Sequence, residues 1–119
     1  MPIIPRNILV APAGFKESLD AGTVARAISA GVRRTMPGAR VKTVPVPDGG
    51  EGTAHMLAES TGGRLVHRTV TGPVGEPVES HFALLGGKAQ GVAVVEMAAA
   101  AGLRLVPRDM RDPTLTTTR

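Results

Sequence analysis

The stretch Pro47–Thr53, with the sequence PDGGEGT, constrains the fold more than any other part of this 119-residue chain. It lies between a β-branched run at residues 40–46 and a run of helix-forming residues at 54–60. The sequence therefore predicts that a strand ends here and a helix begins. Gly49 and Gly50 lack Cβ atoms and tolerate positive φ, which lets backbone N–H groups close around a bound group.

Two interpretations of this stretch are open. In the first, its N–H groups and the helix dipole bind phosphate or carboxylate, and Asp48 and Glu51 act with Mg²⁺ or as acid–base groups beside that anion. In the second, it is a glycine-rich turn in which Glu51 only stabilises the first helical turn. The spacing of these residues alone slightly favours the second interpretation, the glycine-rich turn. The stretch is not a P-loop, because no lysine follows its last glycine.

The composition permits one packed domain but argues against a nucleic-acid partner. Hydrophobic residues make up 42% of the chain, which is enough for a small core. Phe15 and Phe82 are its only Phe, Tyr or Trp residues, so stacking platforms for bases are missing. The net charge of +4 comes from scattered basic residues, of which only Arg33 and Arg34 are adjacent. This pattern predicts a solvated basic surface.

Several classes of site and location are excluded or disfavoured. The chain has no cysteine, which rules out disulfides, thiolate metal sites and thiol nucleophiles. His55, His67 and His81 lie in different predicted elements without the spacing of zinc ligands. No apolar run approaches the roughly 20 residues that a membrane span needs, and no signal-peptide pattern is present. We therefore expect a cytoplasmic protein without a membrane partner.

The first half of the chain has the pattern of a parallel α/β unit. Residues 8–11 form a short apolar run typical of a buried strand, and the following loop carries Lys16 and Ser18. Asp20 is a favourable N-cap for a helix over 21–34, whose apolar residues recur at helical spacing.

A second strand is expected over 39–44, which gives a Rossmann-like parallel βαβα unit with both loops at one edge of the sheet. Lys16 then has two possible roles. It faces the Asp48 loop across a crevice as a point charge for an anion, or it is an exposed residue that pairs with Glu17. The sequence leaves these two roles equally open.

The second half changes character. Three β-like runs at 64–70, 78–85 and 90–96 are separated by glycine- and proline-rich turns, which predicts antiparallel hairpins. We therefore expect an α/β fold with a Rossmann-like part at 1–62 and a β-rich, hairpin-containing part at 63–119. The second part includes a short alanine-rich helix.

Glu96 stands between the last predicted strand and this alanine-rich helix. Such a position, at the carboxyl end of a strand, is where α/β folds place functional groups. A plain charge at the N-terminus of the following helix is an equally good interpretation.

Three blocks of residues give the chain a resemblance to the N-terminal portion of the type-1 glycerate kinases. The blocks occur in the order found in that family, and the resemblance extends over essentially the whole chain. They are Ala11-Pro12 with FKESL at 15–19, PDGGEGT at 47–53, and EMA at 96–98 with the GL, LVP, Arg111, Pro113 and Thr116-Thr117 elements that follow.

The resemblance implies a two-domain α/β kinase that uses ATP and Mg²⁺ to phosphorylate D-glycerate to 2- or 3-phosphoglycerate. It implies catalytic roles for Asp48, which orients or deprotonates the substrate hydroxyl, and for Lys16, which neutralises charge. The residues implied in substrate binding are Ser18, Gly49, Gly50, Glu51 and Thr53. Those implied in binding Mg²⁺ are Asp48, Glu51 and Glu96.

The chain departs from the family in two respects. Ala13-Gly14 stands where family members often have Asp-Ser, which removes polar side chains from the first block. Family members are also several times longer. We therefore expect a fragment that is inactive without its missing C-terminal part and that self-associates through exposed sheet edges. The alternative is a non-catalytic fragment or a small-anion-binding module.

Overall fold

The structure is a computed structural model that describes residues 6–15 and 18–118. It contains two compact units, Met1–Asp48 and Gly49–Arg119. The first is a parallel βαβ unit and the second is built on an antiparallel sheet. This confirms the α/β class and the change from parallel to antiparallel pairing along the chain.

The first unit contains one helix between two parallel strands. Its elements are β1 (Asn7–Val10), α1 (Ala21–Thr35) and β2 (Arg40–Thr43). Val10 is buried whereas Leu9 is 64% exposed, so α1 covers only one face of the strand pair. A hydrogen bond of 2.8 Å between the Ser29 and Thr43 hydroxyls ties the helix to β2.

The two loops of this unit leave the same end of its sheet. The two segments that follow β1 and β2 stay side by side. They are joined by hydrogen bonds from the Val44 N–H to the Val10 carbonyl and from the Val46 N–H to the Pro12 carbonyl. The segment that ends at Asp48 therefore starts next to the segment that follows β1, as the parallel arrangement predicts.

Helix α1 begins at the predicted cap. The Asp20 carboxylate accepts hydrogen bonds from the Thr23 N–H at 2.9 Å and the Thr23 hydroxyl at 2.6 Å, which satisfies an N–H group of the first turn. Arg33 and Arg34 lie in the last turn, where cations favour the helix dipole. Within the described part of the chain, no helix is long and apolar enough to cross a membrane.

The second unit is a three-stranded antiparallel sheet with two α-helices. The strand order is β3-β4-β5, which confirms the expected hairpins. Its elements are α2 (Thr53–Thr61), β3 (Arg64–Thr71), β4 (Pro77–Leu84), β5 (Ala93–Val95) and α3 (Met97–Ala101), with 3₁₀ turns at Gly87–Ala89, Leu103–Leu105 and Arg108–Met110. The strand expected at 90–96 is shorter, because Gly91 adopts a φ of +92° in a turn before it.

Helix α2 packs on the antiparallel sheet. Ala54 and Ala58 of α2 pack against Ala83 of β4, and all three are at most 4% exposed. Leu65 and Val94 surround this alanine cluster. The compact units separate after residue 48, before α2. The domain boundary expected after residue 62 stays a prediction.

A glycine pair connects α2 to β3. Gly62 ends α2 in the left-handed region, with a φ of +66°. At Gly63 a Cβ atom would lie 2.2 Å from the Leu84 carbonyl oxygen, so only glycine fits without moving the backbone. The Gly-Gly signal that ends the predicted helix thus also permits the close approach of β4.

The Asp20 cap makes the stability of α1 depend on pH. Hydrogen bonds from the Thr23 side chain, then from the Thr23 backbone, lower the pKa of Asp20 below its ordinary value of 3.8. Since the pKa is depressed in the folded state, the stabilisation is present above pH 3.8 and is lost as the pH falls through the lower, folded value. We expect the Thr23 amide resonance to move only below pH 3.8 in an NMR titration from pH 6 to 2.

The control is Asp20→Asn, which caps equally well but does not titrate. In this variant the Thr23 resonance is expected to stay constant over the low-pH range. A wild-type transition above pH 3.8 would contradict the assignment.

Candidate functional site

The glycine-rich stretch forms a tight loop that leads directly into α2. Gly49 and Gly52 have φ values of +90° and +87°, in the left-handed region that favours glycine. Gly50, expected from the sequence to share this role, does not adopt a positive φ. Gly52 is the N-cap of α2, so the third glycine of the motif sets the start of the helix.

Thr53 closes the loop. Its hydroxyl accepts a hydrogen bond from the Gly49 N–H at 3.1 Å, and its own N–H donates to the Gly50 carbonyl at 3.2 Å. The Thr53 residue is only 8% exposed. The loop is thus folded back on the first residue of α2.

Glu96 occupies the N-terminus of α2. One carboxylate oxygen, Oε1, accepts a hydrogen bond from the Gly52 N–H at 3.1 Å, and Oε2 accepts one from the Ala54 N–H at 2.9 Å. The residue is 4% exposed. It has no side-chain capping bond to its own helix α3. Glu96 therefore places its charge at the N-terminus of α2, which lies more than 40 residues earlier in the sequence, and not at the N-terminus of α3.

This contact limits what the helix terminus can bind. A carboxylate at the N-terminus of a helix offsets the positive end of its dipole and satisfies unpaired N–H groups. The N–H groups of Gly52 and Ala54 already donate to Glu96. A substrate anion at this loop would consequently rely on other donors.

Glu51 lies on the surface of the same unit. Its Oε2 atom is 2.9 Å from Nη1 of Arg104, and the two side chains are 37% and 66% exposed, respectively. Helix α2 starts at Thr53 and has no acidic residue in its first turn. Glu51 therefore forms an ion pair across the unit and does not lie within the first turn of α2.

The remaining candidates lie in the first unit. Asp48 is exposed and is the last residue of that unit. Ser18 is exposed as well, and its hydroxyl donates to the Phe15 carbonyl at 3.2 Å within a turn. Lys16 lies outside the described residues. A crevice between the Lys16 and Asp48 loops stays a prediction.

The described residues do not by themselves fit a magnesium site. Residues 6–15 and 18–118 contain no group of three or more His, Cys, Asp or Glu side chains placed to hold a metal ion. Glu96 is buried with both oxygens on backbone N–H groups, and Glu51 is paired with Arg104. Magnesium binding by Asp48, Glu51 and Glu96 also stays a prediction.

Sequence reasoning identified the residues of this loop but not the link between them. Glu96 was a candidate because it follows a strand, yet its contacts with Gly52 and Ala54 span 44 and 42 residues. Arg104 was not singled out at all. A lone arginine after an alanine-rich helix carries no local signal that it will meet Glu51.

Comparisons with known proteins all point to one family. Residues 8–119 match the Glycerate kinase family. The chain is 51% identical to a glycerate kinase from Bacillus subtilis and 49% identical to a glycerate 2-kinase from Escherichia coli, over 95% of its own length in each case. It spans about 29% of the length of these curated relatives.

A solved structure agrees with these matches. The crystal structure of a Salmonella typhimurium LT2 protein assigned as glycerate kinase 2 superimposes with a TM-score of 0.63 and 44% identity. The superposition covers 97% of this chain and 30% of that protein.

The geometry of the Glu51–Arg104 pair predicts a small effect on stability. Because both side chains are more than a third exposed, their coupling in the free energy of unfolding should be about 0.2–1 kcal/mol. A double-mutant cycle with Glu51→Gln and Arg104→Gln, measured by urea unfolding, determines this coupling. It should shrink in 1 M salt.

The matched control is the His55–Glu59 pair on α2, whose atoms are 4.0 Å apart. Its coupling should be smaller still. A coupling above about 2 kcal/mol between Glu51 and Arg104 would be too large for an exposed pair and would contradict the prediction.

Proposed function

The chain belongs to the glycerate kinase family, and from this premise we propose that it is the N-terminal part of a D-glycerate kinase. The reaction transfers a phosphoryl group from ATP to a hydroxyl of D-glycerate and yields 2- or 3-phosphoglycerate, in the cytoplasm. The observation that carries this proposal is the match over residues 8–119, together with 51% identity to the B. subtilis enzyme. The PDGGEGT loop lies within the matched region.

We infer that activity requires the remaining part of the polypeptide. The chain spans only about 29% of its curated relatives. The first unit supports this inference, because its sheet has two parallel strands and leaves Leu9 64% exposed on the face away from α1. Parallel sheets are normally covered on both faces. The missing part would supply that cover, and without it the exposed edges would favour self-association.

Asp48 is our candidate for the residue that handles the substrate hydroxyl. It is exposed at the end of the segment that leaves the parallel sheet, which is where α/β folds bind ligands. Its carboxylate would orient the hydroxyl and accept its proton. Lys16 would neutralise the charge of the phosphoryl group, since phosphoryl transfer depends mainly on positioning and electrostatic stabilisation.

Substrate contacts are proposed for Ser18 in the first unit and, in the second unit, for Gly49, Gly50, Glu51 and Thr53 of the glycine loop, residues 49–53. ATP supplies the transferred phosphoryl group, and Mg²⁺ bound to its phosphates needs only one or two protein carboxylates. Among the proposed ligands Asp48 suits that role better than Glu96, because it is exposed whereas Glu96 is 4% exposed.

A small-anion-binding module is the second candidate, and the geometry favours it less. A module of this kind would use the free N–H groups at the start of α2. Two of those groups donate to the Glu96 carboxylate instead, which places a negative charge where the anion would bind.

A coupled assay of ADP release tests the function. The assay contains D-glycerate, ATP and Mg²⁺, and it is run on the 119-residue chain, on the chain mixed with the segment that follows this region in the B. subtilis relative, and on a fusion of the two. We expect no turnover by the chain alone and turnover in the fusion. Turnover by the chain alone would refute the need for a second part, and silence in all three forms would refute the kinase assignment.

Replacement of Asp48 tests the proposed chemistry. In the active fusion, Asp48→Ala should lower kcat/KM for D-glycerate by a factor on the order of 10² or more, as is typical for loss of a general base. The control is Asp109→Ala, an exposed aspartate outside the proposed site, which should change kcat/KM less than about twofold. Near-normal activity of Asp48→Ala would remove Asp48 from the mechanism.

A further inference from the structure

We propose that Glu96 is a positioning residue that fixes the glycine loop for substrate binding, and that it is not a metal ligand. The inference rests on the proposed function, because it assigns a role to the same loop. It is carried by the contacts of the Glu96 carboxylate within the second unit.

The carboxylate holds the loop through a short series of contacts. Glu96 accepts from the N–H groups on either side of Thr53, those of Gly52 and Ala54. Thr53 in turn accepts from the Gly49 N–H, at the opposite end of the loop. Displacement of the carboxylate therefore releases the start of α2 and, through Thr53, the position of Gly49.

Packing alone already holds the helix, so the carboxylate has a more local task. Ala54 and Ala58 of α2 are buried against Ala83 of β4, independently of Glu96. What this alanine contact does not fix is the path of the chain before α2. Gly49 and Gly52 make that path flexible in the unfolded chain, because glycine has the largest choice of backbone conformations. The hydrogen bonds of Glu96 favour one of these backbone conformations.

A buried carboxylate is a costly way to build a purely structural contact. Burial of a charge is unfavourable unless hydrogen bonds offset it. Here both oxygens are used and the residue is 4% exposed, which directs the negative charge at the loop. A cation at Glu96 would have to displace those hydrogen bonds. The same geometry explains why metal binding fits Glu96 poorly.

Amide hydrogen exchange tests the contact directly in the 119-residue chain. In Glu96→Gln, one of the two N–H groups faces an amide NH₂ donor in place of an oxygen acceptor. We expect exchange at Gly52 or Ala54 to accelerate by about tenfold or more, since hydrogen bonds to charged groups are the stronger ones. Amides of the β3–β4 hairpin should change less than twofold, which shows that the fold persists.

The control variant for exchange is Glu59→Gln. Glu59 lies on the same helix, but its side chain is 79% exposed. It should leave the Gly52 and Ala54 amides unchanged. Unaltered exchange at both amides in Glu96→Gln would overturn the proposed contact.

Steady-state kinetics of the active fusion then test the role. If Glu96 positions the loop, Glu96→Gln should raise KM for D-glycerate about tenfold or more while KM for ATP changes less than twofold. Glu96→Asp, which keeps the charge, should recover part of the loss. General destabilisation would instead lower apparent kcat at unchanged KM, and that result would overturn the proposal.

A titration with Mg²⁺ separates positioning from metal binding. For a positioning residue, the Mg²⁺ concentration at half-maximal rate is the same in Glu96→Gln and in the unsubstituted fusion. An increase of about tenfold would identify Glu96 as a ligand and overturn the inference. If the unsubstituted fusion shows no turnover, the proposed function fails and the positioning role fails with it, while amide exchange still reports whether the contact exists.

Discussion

One buried carboxylate fixes how α2 begins in the second unit. Glu96 lies between β5 and α3, yet it accepts hydrogen bonds from Gly52 and Ala54 at the start of α2. A charge that is 4% exposed is tolerated only because both of its oxygens have donors. The requirement works in both directions, because the N–H groups at a helix terminus also need partners. The ends of β5 and α2 are thereby held together.

This contact changes how the glycine loop is understood. Glycine-rich loops before helices are commonly anion sites, because they expose N–H groups at the positive end of the helix dipole. Here the protein fills that position with its own carboxylate, and the Gly49 N–H donates to Thr53. These hydrogen bonds tie the loop to the start of α2. The N–H groups of Gly52 and Ala54 are therefore already satisfied within the protein.

The two units have different degrees of internal support. In the second unit, α2 and an antiparallel sheet share the core of Ala54, Ala58 and Ala83. In the first, α1 covers one face of a two-stranded parallel sheet and Leu9 is exposed on the other. The chain spans about 29% of the length of its curated relatives. The glycerate kinase family match extends over both units.

Elements with local signals follow from the amino-acid sequence alone. The apolar run of β1, the Asp20 cap of α1 and the Gly62-Gly63 stop of α2 each act within a few residues, so their patterns predicted these elements. The expectation that β1 is buried was wrong, because Leu9 is 64% exposed. Three other features follow from the assembled fold: α2 packs on the antiparallel sheet, Gly52 rather than Gly50 takes the left-handed conformation, and Glu96 caps α2. The physical reason is distance along the chain. A hydrogen bond across more than 40 residues depends on how strands and helices assemble, and neither partner carries a local mark of the other.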